Sequence, residues 1–560
     1  MKKLNKLFAL VLAVLMLVSC LAACGGSKAP AERTPKAGET GIGATGVGKY
    51  GGHMNLRIAA TPNGLDPLKQ TGTWKYLYTT CVFEPALTRD AENNIVPGVC
   101  DFELSEDLLD LKLWVRDGYT FSDEQYGAVD IYDVEASWKR ALSLYANIKK
   151  YVAPNVASMT VENDGEKDIL HVVFSKYHEK NLYYMANYRT WCAVMPKEIC
   201  EKYAQSYVVD QIEDAIGCGP YKYAYYEDSV KISVVKRDDY IPVEGKNSGF
   251  GGTKFGYLDS ISFIGGLNDA SAAVALLAGD IDMVEVLPKE YMAQAESVGL
   301  NSEVLPSDQS TVINFNSKGV TNMCSKYPSL RKAILAAIDY PSFLAVLTDD
   351  QAIDLSDEKN QFILHERYNT EAWRKHDFYG PAQADIVAKY IAEAEKEGYK
   401  GEPIQLVYSS SRSDIPTMMK KSLEDFDINC KLTTMESTVY NTFISSYSNP
   451  WDFYFGWATS AYTPVTLGDS LILNAVPKEE GHEEILEQMS TLDPTSDEYL
   501  ALWDQLSTLV ADKAYLGWMA RIEWWWWHPN TLHSNDDGLT RYVYNTYWDD
   551  PENHPTPDQF

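Results

Sequence analysis

Residues 111–142 read LKLWVRDGYTFSDEQYGAVDIYDVEASWKRAL, and they contain two local patterns from which a fold can be argued. Leu111–Val115 and Tyr119–Phe121 flank the turn sequence RDG, which predicts a β-hairpin. Asp130 or Asp133 then caps a helix. Apolar residues recur on one face of that helix, as they do when a helix packs on a sheet. These residues are Val134, Trp138, Ala141, Leu142 and Tyr145.

Three further motifs precede this stretch along the chain, namely LDP at 65–67, FEPALTRD at 83–90 and IVPGV at 95–99. Each motif is weak alone, but their order and spacing, followed by LKLWVRDGYTFSD and DIYDVEASWKRAL, are specific. Together they resemble the amino-terminal half of the family 5 extracellular solute-binding proteins. That family contains the dipeptide-, oligopeptide- and nickel-binding components of ABC importers.

The resemblance continues through most of the remaining chain. The segment GCGPY at 217–221 is similar to the family's G-T-G-P-Y turn, with Cys218 at the usual threonine position. A small-residue helix that leads into a strand at 268–283, and a helix at Pro328–Ile338, also match family segments. These matches are typical of turns and core packing, so they indicate the fold rather than a site.

The resemblance implies an α/β fold of two lobes, the class II or cluster C type of periplasmic-binding-protein-like fold, with an extra subdomain in the first lobe. A strand at Ile404–Tyr408, a helix after Pro416 and a strand at Lys431–Met435 independently predict a parallel sheet with a right-handed crossover. Crossing segments near Leu305–Thr311 and Gly517–Ile522 are expected to join the lobes. The expected boundaries are lobe 1 at 53–305 with its subdomain at about 80–185, lobe 2 at 306–520 and a return to lobe 1 at 521–560.

The amino end predicts export and lipid anchoring. Lysines precede the apolar run Leu7–Val18, which is too short to span a bilayer comfortably. The run leads into LAACG at 21–25, which resembles the lipobox of bacterial lipoproteins, where the thiol of Cys24 takes a diacylglycerol. We therefore expect a lipoprotein signal peptide at 1–23, a flexible tether at 24–52, and an acylated, palmitate-bearing protein on the extracytoplasmic face of the cell membrane.

Composition excludes a nucleic-acid ligand. The chain of 560 residues carries 79 acidic and 49 basic side chains, a formal net charge of -30, whereas binding to a phosphate backbone requires clustered Lys and Arg. With 45% hydrophobic and 12% aromatic residues, the chain can bury a large core and should divide into more than one lobe.

Neither the cysteines nor the histidines show the spacing of a metal site, so we expect no metal and no cofactor. Once the signal peptide is removed and Cys24 is acylated, an odd number of cysteines remains, so at least one is a free thiol. The sequence leaves open whether Cys192 and Cys200 form a disulfide. The remaining cysteines are Cys81, Cys100, Cys192, Cys200, Cys218, Cys324 and Cys430.

The candidate binding site lies in NTFISSYSNPWDFYFGWATSAYTPVT, residues 441–466. Trp451–Trp457 alternates large apolar residues with an acid and reads as a buried strand that ends in a loop. Aromatic rings beside small residues at a strand end are what a small-molecule cleft requires. A core strand with an aromatic corner is the alternative. The predicted ligand-binding residues here are Gly456, Trp457, Ala458, Ser460 and Tyr462.

A second aromatic group lies in RIEWWWW at 521–527. In a strand, Trp524 and Trp526 point to one face while Trp525 and Trp527 point to the other. One pair is expected to pack in the sheet. Trp524 and Trp526 are the candidates for a ligand platform.

The nature of the solute stays open between two classes. In peptide-binding members the residues after G-W usually include an aspartate that holds the peptide α-ammonium, but Ser460 takes its place here. An ammonium buried without a countercharge costs several kcal/mol, so either another acid such as Asp469 substitutes or the ligand lacks a free amino terminus. We expect an oligopeptide first, and an oligosaccharide or other uncharged polar solute second, because the 37 Tyr and 14 Trp suit both. Nickel comes third because the histidines are scattered.

An enzyme is the rival class. The sequence has no G-x-S-x-G, H-E-x-x-H, P-loop or G-x-G-x-x-G motif, and its adjacent acidic pairs are typical of solvated surfaces. A secreted hydrolase such as a glycosidase remains the distant alternative, since its two carboxylates need no sequence motif. The resemblance implies instead a monomeric binding protein that delivers its solute to the permease subunits of an ABC transporter.

Overall fold

The computed structural model describes residues 48–560 with internal gaps. The gaps are 59–61, 63, 70–73, 91–93, 188, 190–191, 207, 246–248, 340–341, 344–345, 347–365, 369, 380–381, 410–413, 460–462, 469–471 and 537–540. At 306–310, 366, 374, 414, 437–438, 457–459, 518–524 and 535–536 it describes the backbone without the side chain. The predicted signal peptide, Cys24 and most of the tether therefore lie outside the described residues.

The described strands are short except for β11 and β15, which have 16 and 14 residues. They are β1 (His53–Arg57), β2 (Leu87–Arg89), β3 (Ile95–Pro97), β4 (Cys100–Leu104), β5 (Asp110–Val115), β6 (Val156–Asn163), β7 (Asp168–Phe174), β8 (Tyr221–Glu227), β9 (Lys231–Lys236), β10 (Ser260–Ile264), β11 (Leu300–Phe315), β12 (Ile404–Ser409), β13 (Cys430–Met435), β14 (Phe453–Thr459), β15 (Leu516–Pro529), β16 (Leu532–Asp536) and β17 (Arg541–Trp548).

The described helices connect these strands. They are α1 (Lys75–Val82), α2 (Ile131–Leu144), α3 (Ala146–Tyr151), α4 (Glu179–Met185), α5 (Lys197–Lys202), α6 (Asp269–Ala278), α7 (Lys289–Ser297), α8 (Met323–Lys326), α9 (Pro328–Ala337), α10 (Ala384–Glu397), α11 (Asp414–Glu424), α12 (Ser437–Ile444), α13 (Pro464–Leu467), α14 (Leu473–Ala475), α15 (His482–Ser490) and α16 (Asp497–Asp512).

The first group of elements surrounds a mixed sheet in the order β1-β10-β9-β8, in which β1 and β10 are parallel and the other pairs are antiparallel. Helix α1 and strands β16 and β17 pack on the same core. The indole nitrogen of Trp548 in β17 donates a hydrogen bond of 2.9 Å to the carbonyl oxygen of His53 in β1. The carboxyl-terminal segment therefore returns to the elements that begin the described chain.

A second sheet, in the order β4-β5-β7-β6, is antiparallel throughout and packs against α2 around its own core. Asp130 is the cap of α2, because its carboxylate accepts hydrogen bonds from the backbone amides of Tyr132 and Asp133, and Asp133 completes a capping box. Val134, Trp138 and Ala141 are buried, which confirms the predicted helix face.

The predicted RDG hairpin is wrong. Strand β5 pairs with β4 and β7, and around Tyr119–Phe121 the structure has one isolated bridge, from Thr120 to Ala128. Arg116 explains the difference, since its amide and its guanidinium donate to the carbonyl oxygens of Val99 and Gly98, respectively. The chain after β5 is thus held by distant backbone and does not fold back on its own strand.

The third sheet has the order β13-β12-β14-β11-β15. Strands β12 and β13 are parallel and joined by α11, as the strand-helix-strand pattern predicted. Strand β14, from the candidate site, is parallel to β12 and antiparallel to β11. Helices α9 and α10 pack together on this sheet around a separate core, and the predicted helix at Pro328–Ile338 corresponds to α9.

Strands β11 and β15 form a long antiparallel ribbon that joins the first group of elements to the third sheet. Their pairing runs from Leu300 opposite Pro529 to Asn314 opposite Leu516, with a register shift between Pro306 and Ser310. Both predicted crossing segments lie in this ribbon, side by side. The lobe boundaries themselves stay predictions. Within the described part of the chain, no helix combines the length and apolar character needed to cross a bilayer.

Candidate solute-binding site

Strand β14 places the candidate corner beside the ribbon. Trp451, just before the strand, and Phe453 at its start are fully buried, and Phe455 is 8% exposed. The second half of β14 runs along β11, with Gly456 opposite Val312 and Thr459 opposite Gln309. Gln309 lies within the register shift of the ribbon. The carboxyl end of β14 therefore reaches the point where the chain crosses between the two groups of elements.

The structure describes the predicted site residues at this corner only in part. Gly456 is half-buried, and a Cβ atom there would lie 3.0 Å from the ring of Tyr454. For Trp457 and Ala458 only the backbone in β14 is described, while Ser460, Tyr462 and the alternative acid Asp469 lie outside the described residues. Their roles in ligand binding stay predictions.

The tryptophans of β15 are described from Trp525 onward, while Trp524 has only its backbone described. Trp526 is 2% exposed and packs edge-on against Trp74, with ring centroids 5.9 Å apart. Trp527 is buried in the core formed by α6 and α7, and Trp525 packs partly buried against that core. Each described ring is thus engaged in packing, and the proposed platform at Trp524 and Trp526 stays a prediction.

An ion pair between the buried Arg541 and the part-exposed Glu303 lies behind Trp526. Arg541 donates to Glu303 with Nη2 and Oε2 2.7 Å apart, and its guanidinium carbon lies 4.8 Å from the Trp526 ring centroid. Burial alone would raise the pKa of Glu303. Hydrogen bonds from His528 and Arg541 and the positive charge of Arg541 outweigh burial and bring that pKa to about 2. Glu303 is therefore ionised at neutral pH and ties the ribbon to β17.

A second carboxylate bridges the two groups of elements. Glu179, the first residue of α4, is 7% exposed, and its Oε2 accepts a hydrogen bond of 2.9 Å from the hydroxyl of Tyr499 in α16. Its Oε1 is buried and without a hydrogen-bond partner in the described structure. Burial raises the pKa of Glu179, while the hydroxyls of Thr463 and Tyr499 and the charges of Lys180 and Arg89 oppose that rise.

Comparison with known proteins identifies the family. The model of the bacterial extracellular solute-binding proteins, family 5 (middle region), matches residues 84–471, which is more than half of the chain. The chain is a family 5 extracellular solute-binding protein. No curated protein matches it in sequence.

Solved family 5 structures share its fold at low sequence identity. The ABC transporter-associated periplasmic binding protein DppA from Helicobacter pylori, in complex with the peptide STSA, superposes with a TM-score of 0.69 at 16% identity, covering 89% of this chain and 98% of that one. The oligopeptide-binding protein AppA from Bacillus subtilis, in complex with a nonapeptide, gives 0.67 at 16% identity, covering 90% and 99%. NikA from Staphylococcus aureus, in complex with Ni(L-His)2, gives 0.66 at 13% identity, covering 89% and 100%.

These likenesses establish the two-lobed α/β fold of this family 5 protein. By the lobe boundaries predicted from the sequence, the sheet that contains β1 and the β4–β7 sheet fall in lobe 1, and the β11–β15 sheet with its helices falls in lobe 2. The ribbon of β11 and β15 crosses between them. Glu179 and Tyr499 thus form a contact between lobes.

Sequence reasoning missed Glu179. In the sequence it follows His178 within KYHEKN, where it resembles an ordinary acid in the first turn of a helix. Its partner Tyr499 lies 320 positions further along the chain. No local pattern links the two residues, so only the packing of α4 against α16 identifies them.

Among the described residues no group of three or more His, Cys, Asp or Glu side chains converges on one point. Cys192 and Cys200, whose pairing stayed open, are both free and buried. Burial raises the pKa of the Cys192 thiol above its usual range and that of Cys200 to about 11, so both are protonated and unreactive at neutral pH.

Proposed function

We propose that this protein is the membrane-anchored binding component of an ABC importer, and that it captures a solute between its two lobes. The observation that carries this proposal is the register of β14 on β11, which brings the Gly456–Trp457 corner to the crossing ribbon. In a two-lobed binding protein the lobes move about the crossing segments, so groups beside the crossing contact the solute in the closed form. No bond of the solute is broken.

Ligand binding drives lobe closure in this proposal. A solute that contacts both lobes binds the closed form more tightly than the open form, and it shifts the equilibrium by that difference in affinity. The closed form then docks on the permease and releases the solute for import. Acylated Cys24 and the tether that follows it keep the binding protein near the permease on the extracytoplasmic face.

An oligopeptide is the solute we propose first. Two family 5 structures of the same fold hold peptides, and aromatic side chains near the crossing suit peptide side chains. Ser460 in place of the family's aspartate favours the second candidate, an oligosaccharide or another uncharged polar solute, because a hydroxyl does not neutralise a buried ammonium.

Mass spectrometry of the solute that co-purifies with the mature protein tests this function. We expect one class of small molecule, released on denaturation and chemically unchanged after incubation. Recovery of a cleaved product would contradict the binding role and favour a hydrolase. Replacing Cys24 with Ser tests the anchor, since it should move the protein from the membrane fraction to the soluble fraction.

Trp457→Ala tests the position of the site. We expect weaker binding of the co-purified solute by calorimetry, with cooperative unfolding retained, because the change removes the aromatic side chain that we propose contacts the solute. Trp114→Ala is the matched control, since Trp114 is half-buried in β5 of the subdomain, where Lys167 lies 3.4 Å above its ring. Equal affinity in wild type and Trp457→Ala would remove Trp457 from the site.

A further inference from the structure

The contact between Glu179 and Tyr499 joins the lobes away from the ribbon. Helix α4 belongs to the first lobe and α16 to the second, and the two residues are 320 positions apart. At the edge of the same surface Lys176 pairs with Glu487 of α15 at 3.5 Å, with both side chains more than half exposed. The amino-terminal end of α4 therefore faces helices of the opposite lobe when the lobes are together.

Closing the lobes removes a carboxylate from water. Tyr499 is fully buried and Glu179 nearly so. The hydroxyl of Tyr499 donates to Oε2 and that of Thr463 also stabilises the carboxylate, while Oε1 has no hydrogen-bond partner among the described residues. Burying a charge with incomplete hydrogen bonding is unfavourable, and such a group takes up a proton more readily. The unpartnered Oε1 is the oxygen on which that proton would reside.

On the basis of the proposed function, we propose that Glu179 and Tyr499 form a proton-linked closure contact. The lobes come together more readily when Glu179 is protonated and separate more readily when it is ionised. Tyr499 is the positioning partner because its hydroxyl donates to Oε2 in both protonation states. The contact thereby sets how firmly the protein holds its solute as the pH outside the cell changes.

The charged and titratable groups around Glu179 come from both lobes. From its own lobe, Lys180 and Arg89 stabilise the ionised form. Lys180 lies over the ring of Tyr151 at 3.9 Å, and burial lowers its pKa to about 7. The other groups near this surface are Lys150, Lys176, Tyr177 and His178 from the first lobe and Thr463, Arg367, Tyr368, Glu487 and Asp493 from the second.

The direction of the pH effect follows from proton linkage. Closure raises the pKa of Glu179 by burial, so at this residue the closed form binds more protons than the open form. Lowering the pH through the raised pKa of Glu179 therefore favours closure, and this contribution levels off below the ordinary carboxyl pKa of about 4.3. Burial lowers the pKa of Lys180 to about 7 and that of His178 to about 4, so these neighbours also titrate in this range and with the opposite sign, and the contribution of Glu179 has to be isolated by substitution.

Glu179→Gln isolates the contribution of Glu179 to the pH dependence of closure. The glutamine carbonyl oxygen still accepts the hydrogen bond of Tyr499, but the charge is gone, so closure no longer depends on this proton. Tyr499→Phe removes the donor and leaves the carboxylate buried with less compensation, so it should weaken closure. Lys176→Ala is the control, because an exposed ion pair contributes little.

Small-angle scattering from the ligand-free mature protein between pH 7.5 and pH 5 tests the proposal without any solute. We expect the radius of gyration of the wild type and of Lys176→Ala to fall as the pH falls. Glu179→Gln should be compact at both pH values and Tyr499→Phe expanded at pH 7.5. Circular dichroism of each variant confirms that it is folded.

If the radius of gyration of the wild type and of Glu179→Gln depended equally on pH, the proposal would be overturned. An expanded Glu179→Gln protein at neutral pH would also overturn it, because the negative charge itself would then serve lobe closure or ligand contact. Because no solute is present, these outcomes are independent of the importer role. That role fails separately if no small molecule co-purifies with the protein.

Discussion

The guanidinium of Arg140 binds both carboxylate oxygens of Asp66 inside the first lobe, with Nη1–Oδ1 and Nη2–Oδ2 separations of 3.3 and 2.5 Å. Asp66 belongs to the LDP motif and Arg140 to the helix α2, 74 positions away. Their side chains are 0% and 3% exposed. Asp66 also accepts hydrogen bonds from the amides of Leu68 and Val209. Two of the motifs that resemble the family therefore meet in one buried ion pair.

Asp66→Asn should destabilise the protein by about 3–5 kcal/mol, because it leaves the Arg140 charge buried without a countercharge. Urea unfolding followed by circular dichroism measures this change. Glu135→Gln is the control, since the Lys139–Glu135 pair at 2.8 Å is largely exposed on the lysine side and its loss should cost about 1 kcal/mol or less. Equal stability of Asp66→Asn and wild type would show that the pair contributes no net stability.

Gly217→Ala should be at least as damaging, because a Cβ atom at Gly217 would overlap the carbonyl oxygen of Val82 and crowd the ring of Phe83. Neither neighbour can move freely, since Val82 O also accepts the amide of Gly219 at 2.8 Å. We expect a loss of about 3 kcal/mol or more in unfolding free energy.

The control for that substitution is Gly127→Asn. Gly127 has a φ of +67°, which asparagine tolerates, and no atom lies within 4 Å of a Cβ placed there. Its thermal midpoint should stay close to that of the wild type. If Gly217→Ala had the same thermal midpoint as the wild type, the GCGPY turn would have to relax around the added methyl group.

Local patterns predicted the elements whose determinants are near one another in sequence. The Asp130 cap, the buried face of α2 and the β12-α11-β13 crossover follow from spacing within some 30 residues, and each is confirmed. The RDG hairpin failed for the opposite reason. Strand β5 finds better partners in β4 and β7, and β7 lies more than 50 positions away.

The candidate strand was predictable from the sequence, but its end and its contacts were not. The sequence predicted that the strand breaks at Gly456, whereas β14 continues through Trp457 to Thr459 because its pairing with β11 extends that far. Glu179 was not predicted because its partner belongs to the other lobe. The position of Trp526 was ambiguous because the alternation of side chains along a strand defines two faces but does not say which face packs in the core. Packing between elements that are far apart in sequence decides both, and it is absent from any local window.

Trp526→Ala should lower stability by about 3–5 kcal/mol, because it opens a cavity between Trp74 and Arg541 in the core of the first lobe. The same loss leaves the Arg541 guanidinium without its aromatic neighbour. Urea unfolding measures the effect, with the half-buried Trp114→Ala as the matched control. If Trp526→Ala kept wild-type stability but lost solute affinity, Trp526 would be a ligand platform and its packing role would be secondary.

His178 should make stability fall in mild acid. It caps α4, where its Nδ1 accepts the amide hydrogen of Lys180 at 3.1 Å, and burial, together with the charge of Lys180, lowers its pKa to about 4. The unfolded chain has the ordinary histidine pKa of about 6.5, so it binds the proton more readily than the folded protein. The stabilisation is complete above pH 6.5 and is lost as the pH falls from there toward 4, by about 2 kcal/mol between pH 7.5 and pH 5.

His178→Asn is the variant that isolates this effect, because asparagine is a good helix cap and does not titrate. His53 and His482 are also buried with lowered pKa values and are present in both proteins, so their contributions cancel in the comparison. Between pH 7.5 and pH 5, the free energy of unfolding measured with urea should fall by about 2 kcal/mol less in His178→Asn than in the wild type. Parallel losses in the two proteins would show that His178 is protonated, or exposed to water, in the folded state.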